Sequence, residues 1–401
     1  MDQTLAASPD KYLQLVAKSR LVTTEQLSSV VAEVVKQHGG LPEDSRPLAK
    51  AFIDRGLISA WQNWHLLEGR CRGFFLGKYK LISYLNAGGM SRVYLAEHVL
   101  LKRRVAIKLF AEGPQDDGFR LKRFYIESEA CAALNHANIV KAFDFDSDGK
   151  FHFLVMEYVD GSDLHRLVAK QGPLPFERAA EYVRQAALGL AHAHAAGMIH
   201  RDVKPANLLL DRDGTVKILD LGVVRVTRQT ENSLTLDQGV HIIGTVDYLP
   251  PEQFLDGHNV DARADLYSLG CTLFFLLTGR PPFNKGNQSQ RIMMHQTEPA
   301  PSVYGERPDC PAGLAQICER LMAKNPDDRF PSATDVANVL GDWLRLHKQG
   351  RDWTPPAPSS SWLRLVSDTE GASDTYRGTQ LATLLTEQSP AATPAPVPLD
   401  V

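Results

Sequence analysis

From Ser8 to Leu67 the apolar positions recur at three- and four-residue intervals, the spacing of one face of a helix. Ser8-Pro9 offers an N-cap with proline in the first turn, and Leu13, Val16 and Ala17 follow. Thr23 or Thr24 caps a second helix with Leu27, Val30, Val31, Val34 and Val35 on one side, stopped by Gly39-Gly40. A third begins after Ser45, carries Leu48, Phe52 and Ile53 inward and ends at Gly56. Ser59 caps a fourth, whose apolar side is Trp61, Trp64 and Leu67. Together these predict a small all-α bundle over residues 1–75. His38 and His65 stand alone in it, and no catalytic constellation is visible.

At Tyr79 the period falls to two, and short strands are predicted over 79–85, 92–98, 105–108 and 151–156. The turn joining the first two is Asn86-Ala87-Gly88-Gly89-Met90-Ser91, where glycines let backbone N–H groups approach an anion. One helix is predicted from about Phe119 to Leu134. A long amphipathic one from Phe176 to Ala196 turns Ala180, Val183, Ala187, Leu190 and Ala191 inward, and Asp265-Leu266-Tyr267-Ser268-Leu269-Gly270 opens a buried helix. Past Leu344 the order fades. Pro355, Pro356, Pro358 and Ser359 to Ser361 read as linker and Pro390 to Pro398 as a disordered end, so residues 345–401 form a tail.

The chemistry concentrates in Ile199-His200-Arg201-Asp202-Val203-Lys204-Pro205-Ala206-Asn207 and, about a dozen residues on, in Lys217-Ile218-Leu219-Asp220-Leu221-Gly222. A short hairpin would set Asp202, Lys204, Asn207 and Asp220 near one another. Two acids, an amide and a lysine suit one task, holding a metal-bound polyphosphate beside a hydroxyl group. Upstream, Lys108 ends the strand Val105-Ala106-Ile107-Lys108 and needs a charge partner. Glu127 supplies one from the helix over 119–134, with Glu129 the less favoured alternative on another face.

In order, these runs resemble the motifs of protein kinases: V-A-I-K at 105–108, H-R-D with an Asn five residues after the Asp, and D-F-G with Leu221 in place of Phe. The turn at 86–91 matches the glycine-rich loop in Gly88 and Val93 only, because Asn86 and Ser91 replace the outer glycines. Gly244-Thr245-Val246-Asp247-Tyr248-Leu249-Pro250-Pro251-Glu252 resembles G-T-x-x-Y-x-A-P-E with Pro250 for Ala. The resemblance implies an α+β, bilobal kinase fold over residues 79–344. A β-rich lobe (79–159) would sit on a helical lobe (160–344) with ATP between them.

The same resemblance implies roles. Asp202 would orient the substrate hydroxyl, Lys204 would stabilise the γ-phosphoryl group, Lys108 paired with Glu127 would meet the α- and β-phosphates, and Thr245 would bridge Asp202 and Lys204. Asn207 and Asp220 would hold Mg²⁺, with Mn²⁺ as the alternative metal. The nucleotide would lie against Leu85, Asn86, Ala87, Gly88, Gly89, Met90, Ser91, Arg92 and Val93. Ala106, the backbone of Glu157 and Val159, Asp163 at the ribose and Leu209 as floor would complete its site, with Met156 as gatekeeper. Lys204 two residues after the Asp, followed by Pro205 and Ala206, follows the serine/threonine pattern. Arg201 implies control through the activation segment, with autophosphorylation at Thr235 favoured over Ser233. Asp265 would brace the catalytic loop, Glu252 would pair with Arg329, and His200 would pack against the metal-binding turn. Helical modules like residues 1–75 are similar to ones preceding kinase domains in planctomycete-type bacterial proteins, which implies an interaction or autoregulatory role.

Bulk properties narrow the setting. A net charge of −3 gives no electrostatic reason to expect nucleic acid or an anionic membrane. The 5 cysteines show no C-x-x-C pair and read as buried thiols in a reducing compartment. Met1 to Pro9 lacks a signal-peptide pattern, and no apolar run approaches the ~20 residues of a membrane helix. The expectation is a cytoplasmic enzyme acting on protein serines and threonines. Two rivals remain. A pseudokinase scaffold draws on Asn86, Ser91, Leu221 and Pro250, none of which removes a charged catalytic group; a small-molecule phosphotransferase would not need the long activation segment.

Overall fold

The computed structural model describes residues 8–87, 91–110, 119–219, 246–255 and 260–351. Among them, four helices precede the first strand: α1 (Pro9–Ser19), α2 (Thr24–His38), α3 (Arg46–Asp54) and α4 (Ala60–Leu67). The Ser8 hydroxyl accepts the N–H of Lys11, and Thr23 with Gln26 and Ser59 with Gln62 form reciprocal capping boxes. Ser45 differs, since it makes no side-chain cap and its buried Oγ has no partner among the described residues. Tyr12, Val16, Val30, Val34, Leu48, Phe52, Ile58 and Leu66 meet in one core with Phe74 from the segment that follows.

The face of α4 departs from the expected one. Its buried positions are Gln62, Asn63 and Leu66, while Trp64 is exposed. Apolar periodicity does not show this, because both buried amides are satisfied by groups far along the chain. Tyr12 Oη donates to Asn63 Oδ1 at 2.7 Å, and Gln62 Nε2 donates to the Leu81 carbonyl at 2.5 Å.

The β-rich lobe is one antiparallel sheet built from β1 (Phe75–Leu76), β2 (Tyr79–Ala87), β3 (Ser91–His98), β4 (Arg104–Phe110), β5 (Ala142–Asp148) and β6 (Phe151–Glu157), in the order β1-β2-β3-β4-β6-β5. The short β1 was not anticipated. It pairs Phe75 with Lys80 and Leu76 with Tyr79, so the chain leaving α4 enters the sheet directly as an edge strand. Helix α5 (Phe119–Ala132) packs against β5. Strand β2 slips register against β3 twice, between Leu81 and Ser83 and between Tyr84 and Asn86.

Below the sheet, β7 (Gly161–Asp163), β8 (Leu208–Asp211) and β9 (Val216–Ile218) form a second, smaller one. Gly161 is required there, because a Cβ would stand 1.8 Å from the Leu210 carbonyl oxygen. The loop after α5 joins this sheet: Ile218 N donates to Asn138 O at 2.9 Å and Val140 N to Ile218 O at 3.0 Å. The helical lobe comprises α6 (Leu164–Gln171), α7 (Phe176–Ala195), α8 (Pro251–Leu255), α9 (Arg263–Thr278), α10 (Gln288–Thr297), α11 (Ala312–Leu321) and α12 (Ala333–Lys348). Helix α9 is apolar nearly all round and accordingly runs through the centre of the core, contacted by α7 and α11. All five cysteines are free, and burial pushes the thiols of Cys271 and Cys310 up to about 12 and about 11. No helix among the described residues is long and apolar enough to cross a membrane.

Candidate active site

The loop between α7 and β8 is held from beneath by one carboxylate. Asp265, on α9 and fully buried, accepts the backbone N–H of Arg201 on Oδ1 at 2.7 Å. Its Oδ2 accepts the N–H of His200 and Nε2 of His194, both at 2.8 Å. Burial alone would push this carboxyl up. The hydrogen bonds and the facing histidines outweigh burial and hold it below its ordinary value. The brace also holds Arg201 at φ +64°, a left-handed backbone that a non-glycine residue keeps only when its surroundings impose it.

His200 connects this loop to the next turn. Its Nδ1 receives the N–H of Asp202 at 3.2 Å, so the ring proton sits on Nε2 and is donated to the Leu219 carbonyl at 2.9 Å. The packing role read for His200 is therefore a hydrogen-bonding one. Leu219 N in turn donates to Asn207 O at 2.8 Å. The residue just before Asp220 is thus tied to the catalytic loop through both its backbone groups. Asp220 itself, the expected second metal ligand, lies outside the described residues, as do Leu221 and Thr245.

Asp202, Lys204 and Asn207 do come together. Lys204 Nζ lies 2.9 Å from Oδ1 and 2.7 Å from Oδ2 of Asp202. Asn207 Nδ2 donates to the Asp202 carbonyl at 2.8 Å and to Oδ2 at 3.0 Å. This fixes which end of the amide is which. The donor end is committed to Asp202, and Oδ1 is a hard oxygen with no donor among the described residues.

Beside this loop the expected lining residues gather in an apolar cluster, the slot. Leu85 and Val93 from β2 and β3, Ala106 from β4, Met156 and Val159 from the strand end, and Leu209 from β8 share one cluster with Val140 and Leu219. Lys108 is half-buried two places along β4 from Ala106, paired in register with Val93 and Leu154. Its expected partner Glu127 is on α5, but the Glu127 side chain lies outside the described ones, as do that of Ala87 and the residues Gly88, Gly89 and Met90. Asn86 pairs with Val93, Ala87 with Arg92 and Ser91 with Phe110, so both strands reach the turn in register.

At the strand end Glu157 N donates to Lys141 O at 2.8 Å, and the Glu157 carboxylate pairs with Lys217 at 3.1 Å. That ion pair links the two sheets and was not read from the sequence, its partner being on a different strand. The backbone N–H and C=O of Val159 make no hydrogen bond to the described protein, which leaves an open edge beside the slot. Asp163 Oδ1 accepts the Arg166 N–H at 2.8 Å as the N-cap of α6. Glu252 and the fully buried Arg329 form the expected bidentate pair, at 2.6 and 2.8 Å. His194 was missed as a functional support. Its acceptor Asp265 is 71 positions away, and no local spacing announces such a bond.

An antiparallel sheet over a helical lobe, an apolar slot between them, and an aspartate held beside a lysine and an asparagine define the protein kinase class. The protein kinase domain model matches residues 79–340, and the chain belongs to that family. Its kinase domain is of the bacterial serine/threonine type. The chain is 38% identical over 301 residues to the serine/threonine-protein kinase PknB of Mycolicibacterium smegmatis, covering 74% of this chain and 46% of PknB. To PrkC of Bacillus subtilis it is 34% identical over 260 residues, covering 65% of this chain and 39% of PrkC. The chain thus spans less than half the length of these relatives. The crystal structure of the Mycobacterium tuberculosis PknI kinase domain superposes with a TM-score of 0.52 at 30% identity, covering 67% of this chain and 98% of that one.

Proposed function

We propose that the chain is an active serine/threonine protein kinase, moving the γ-phosphoryl group of ATP to serine and threonine hydroxyls of proteins. The observation that carries this reading is the held carboxylate of Asp202, with Lys204 on both oxygens and Asn207 on one. Asp202 takes the proton of the acceptor hydroxyl as its oxygen bonds to the γ-phosphorus and the bond from that phosphorus to the ADP oxygen breaks. Lys204 balances the charge on the transferring group. Asn207 Oδ1 and Asp220 would hold Mg²⁺, which when bound neutralises the phosphate oxygens. Lys108, with Glu127, meets the α- and β-phosphates.

The slot between Leu85, Val93 and Ala106 above and Leu209 below takes the adenine ring, with the backbone of Glu157 and Val159 at its edge and Asp163 at the ribose. Lys204 and Thr245 favour serine or threonine over tyrosine. Arg201 and the segment containing Ser233 and Thr235 would provide control by autophosphorylation, and residues 1–75 would act as a regulatory or interaction unit. The setting this fits is cytoplasmic.

The test is phosphate transfer from labelled Mg-ATP to a protein substrate by the wild type and Asp202→Asn. Activity should fall about 10²- to 10⁴-fold in the variant, the usual worth of a positioned base. Wild type that binds ATP but transfers nothing would overturn the proposal. Phosphopeptide mapping checks the regulatory part, which fails if no residue between 227 and 235 is modified.

A further inference from the structure

Helix α4 lies outside the family match, yet it grips the strand leading into the glycine turn. Ser59 Oγ donates to the carbonyl of Ile82 and Gln62 Nε2 to that of Leu81. Lys80, half-buried, donates to the carbonyls of Leu21 at 3.2 Å and Leu57 at 3.3 Å. Trp61 packs edge-on against Tyr94 with centroids 5.9 Å apart, and Tyr94 against Tyr84 at 5.6 Å.

Leu81 and Ile82 are where β2 first slips against β3. Leu81 N donates to Phe74 O at 2.8 Å, so the Leu81 backbone faces away from β3 just past the end of β1, and there the side chains of α4 supply donors to the carbonyls of Leu81 and Ile82. The slip has a consequence for the slot. Leu81 pairs with Ala96 and so shares the face of Tyr94, which looks toward the helices. Strict alternation would put Ser83 and Leu85 on that same face. The slip instead pairs Ser83 with Leu95, on the opposite face, and Leu85 joins Val93 and Ala106 in the slot.

We propose that α4 is a splint on this slip, and that Ser59 and Gln62 are positioning residues for the nucleotide because they hold Leu85 over the slot. The inference rests on reading the slot as the adenine site. Gln62→Glu in the full chain isolates it. The carboxylate can still accept the Ser59 N–H of the capping box, but it cannot donate to Leu81 O. The readouts are the KM for ATP, kcat, and the Kd of a non-hydrolysable ATP analogue, with Ser59→Ala and Leu85→Ala alongside.

In Gln62→Glu both KM and Kd should rise about five-fold, the worth of one ordinary hydrogen bond, with kcat within about two-fold. Ser59→Ala should move them the same way. If Leu85→Ala weakens nucleotide binding while Gln62→Glu and Ser59→Ala do not, the splint is refuted and the slot reading stands. If Leu85→Ala changes nothing, the slot reading falls and the splint with it. A drop in kcat with KM and Kd unchanged means lost active protein and also refutes the splint. Should Gln62→Glu not fold, Gln62→Met removes the same donor without adding charge and must show the same rise in Kd.

Discussion

The catalytic loop and the nucleotide hairpin are both held by hydrogen bonds to backbone groups, but from different sources. Asp265 supports the loop from below through His200 and Arg201, and every partner lies within residues 79–340. Ser59 and Gln62 support the hairpin from above, and both lie before that range. The support of that loop therefore lies within the family fold. The strand that would roof the proposed nucleotide site leans on an element added to it. Damage to the first region should appear in kcat and damage to the second in nucleotide affinity.

Asp265→Asn is the severest way to test that division. The carboxamide turns an N–H group toward donors that now lack an acceptor, and the cost of breaking such a buried site is about 3–5 kcal/mol. A displacement of Asp202 by about 1 Å should lower kcat about 10²-fold. Urea unfolding and steady-state kinetics should show both losses, while the Kd of an ATP analogue stays within about two-fold. An equal loss in nucleotide affinity would mean the two supports are not separate.

His295 gives the helical lobe a pH dependence. It is buried with Nδ1 against Tyr267 Oη at 2.9 Å, and Nε2 has no partner among the described residues. Lys324 donates to the same hydroxyl at 3.2 Å, so the tyrosine proton goes to His295. Burial first, then the Lys324 charge, lower the imidazole from 6.5 to about 4. The unfolded chain then binds a proton that the native state refuses. Stability from this group is complete above pH 6.5 and is lost as pH falls toward about 4. The loss is at most about 3 kcal/mol, about 2 of it between pH 7 and 5. His295→Gln should flatten the urea midpoint over that interval; an unchanged slope would show that the imidazole is not the group responsible.

What could be read from the sequence follows the range of the interactions. Asp202, Lys204 and Asn207 lie within six consecutive positions, and one loop brings them together. The helix starts were equally local, since Thr23–Gln26 and Ser59–Gln62 are capping boxes closed within one turn. The inward face of α4 was not readable. Gln62 and Asn63 look like surface residues until Leu81 and Tyr12 arrive from elsewhere in the chain. Strand β1 was missed because two residues carry no period, and the slip in β2 because the apolar neighbours Leu81-Ile82 and Tyr84-Leu85, which break the alternation, were read as parts of one regular strand. His194 and the Lys217–Glu157 pair belong to the same class of long-range polar contacts.

The gentlest test acts one step behind the hairpin. Tyr12 on α1 holds Asn63, the neighbour of Gln62 on α4, through a single buried hydrogen bond of 2.7 Å. Tyr12→Phe keeps the ring in the core with Phe52 and removes only the donor. Asn63 Oδ1 is then buried without a partner, at a cost of about 1 kcal/mol in urea unfolding. The carbonyls of Leu81 and Ile82 keep their own donors, so the Kd of an ATP analogue should rise less than two-fold, below the effect of Gln62→Glu. If Tyr12→Phe weakens nucleotide binding as much as Gln62→Glu does, the support comes from the packing of the helices as a body. If stability falls and the Kd stays put, it comes from the two hydrogen bonds at the slip.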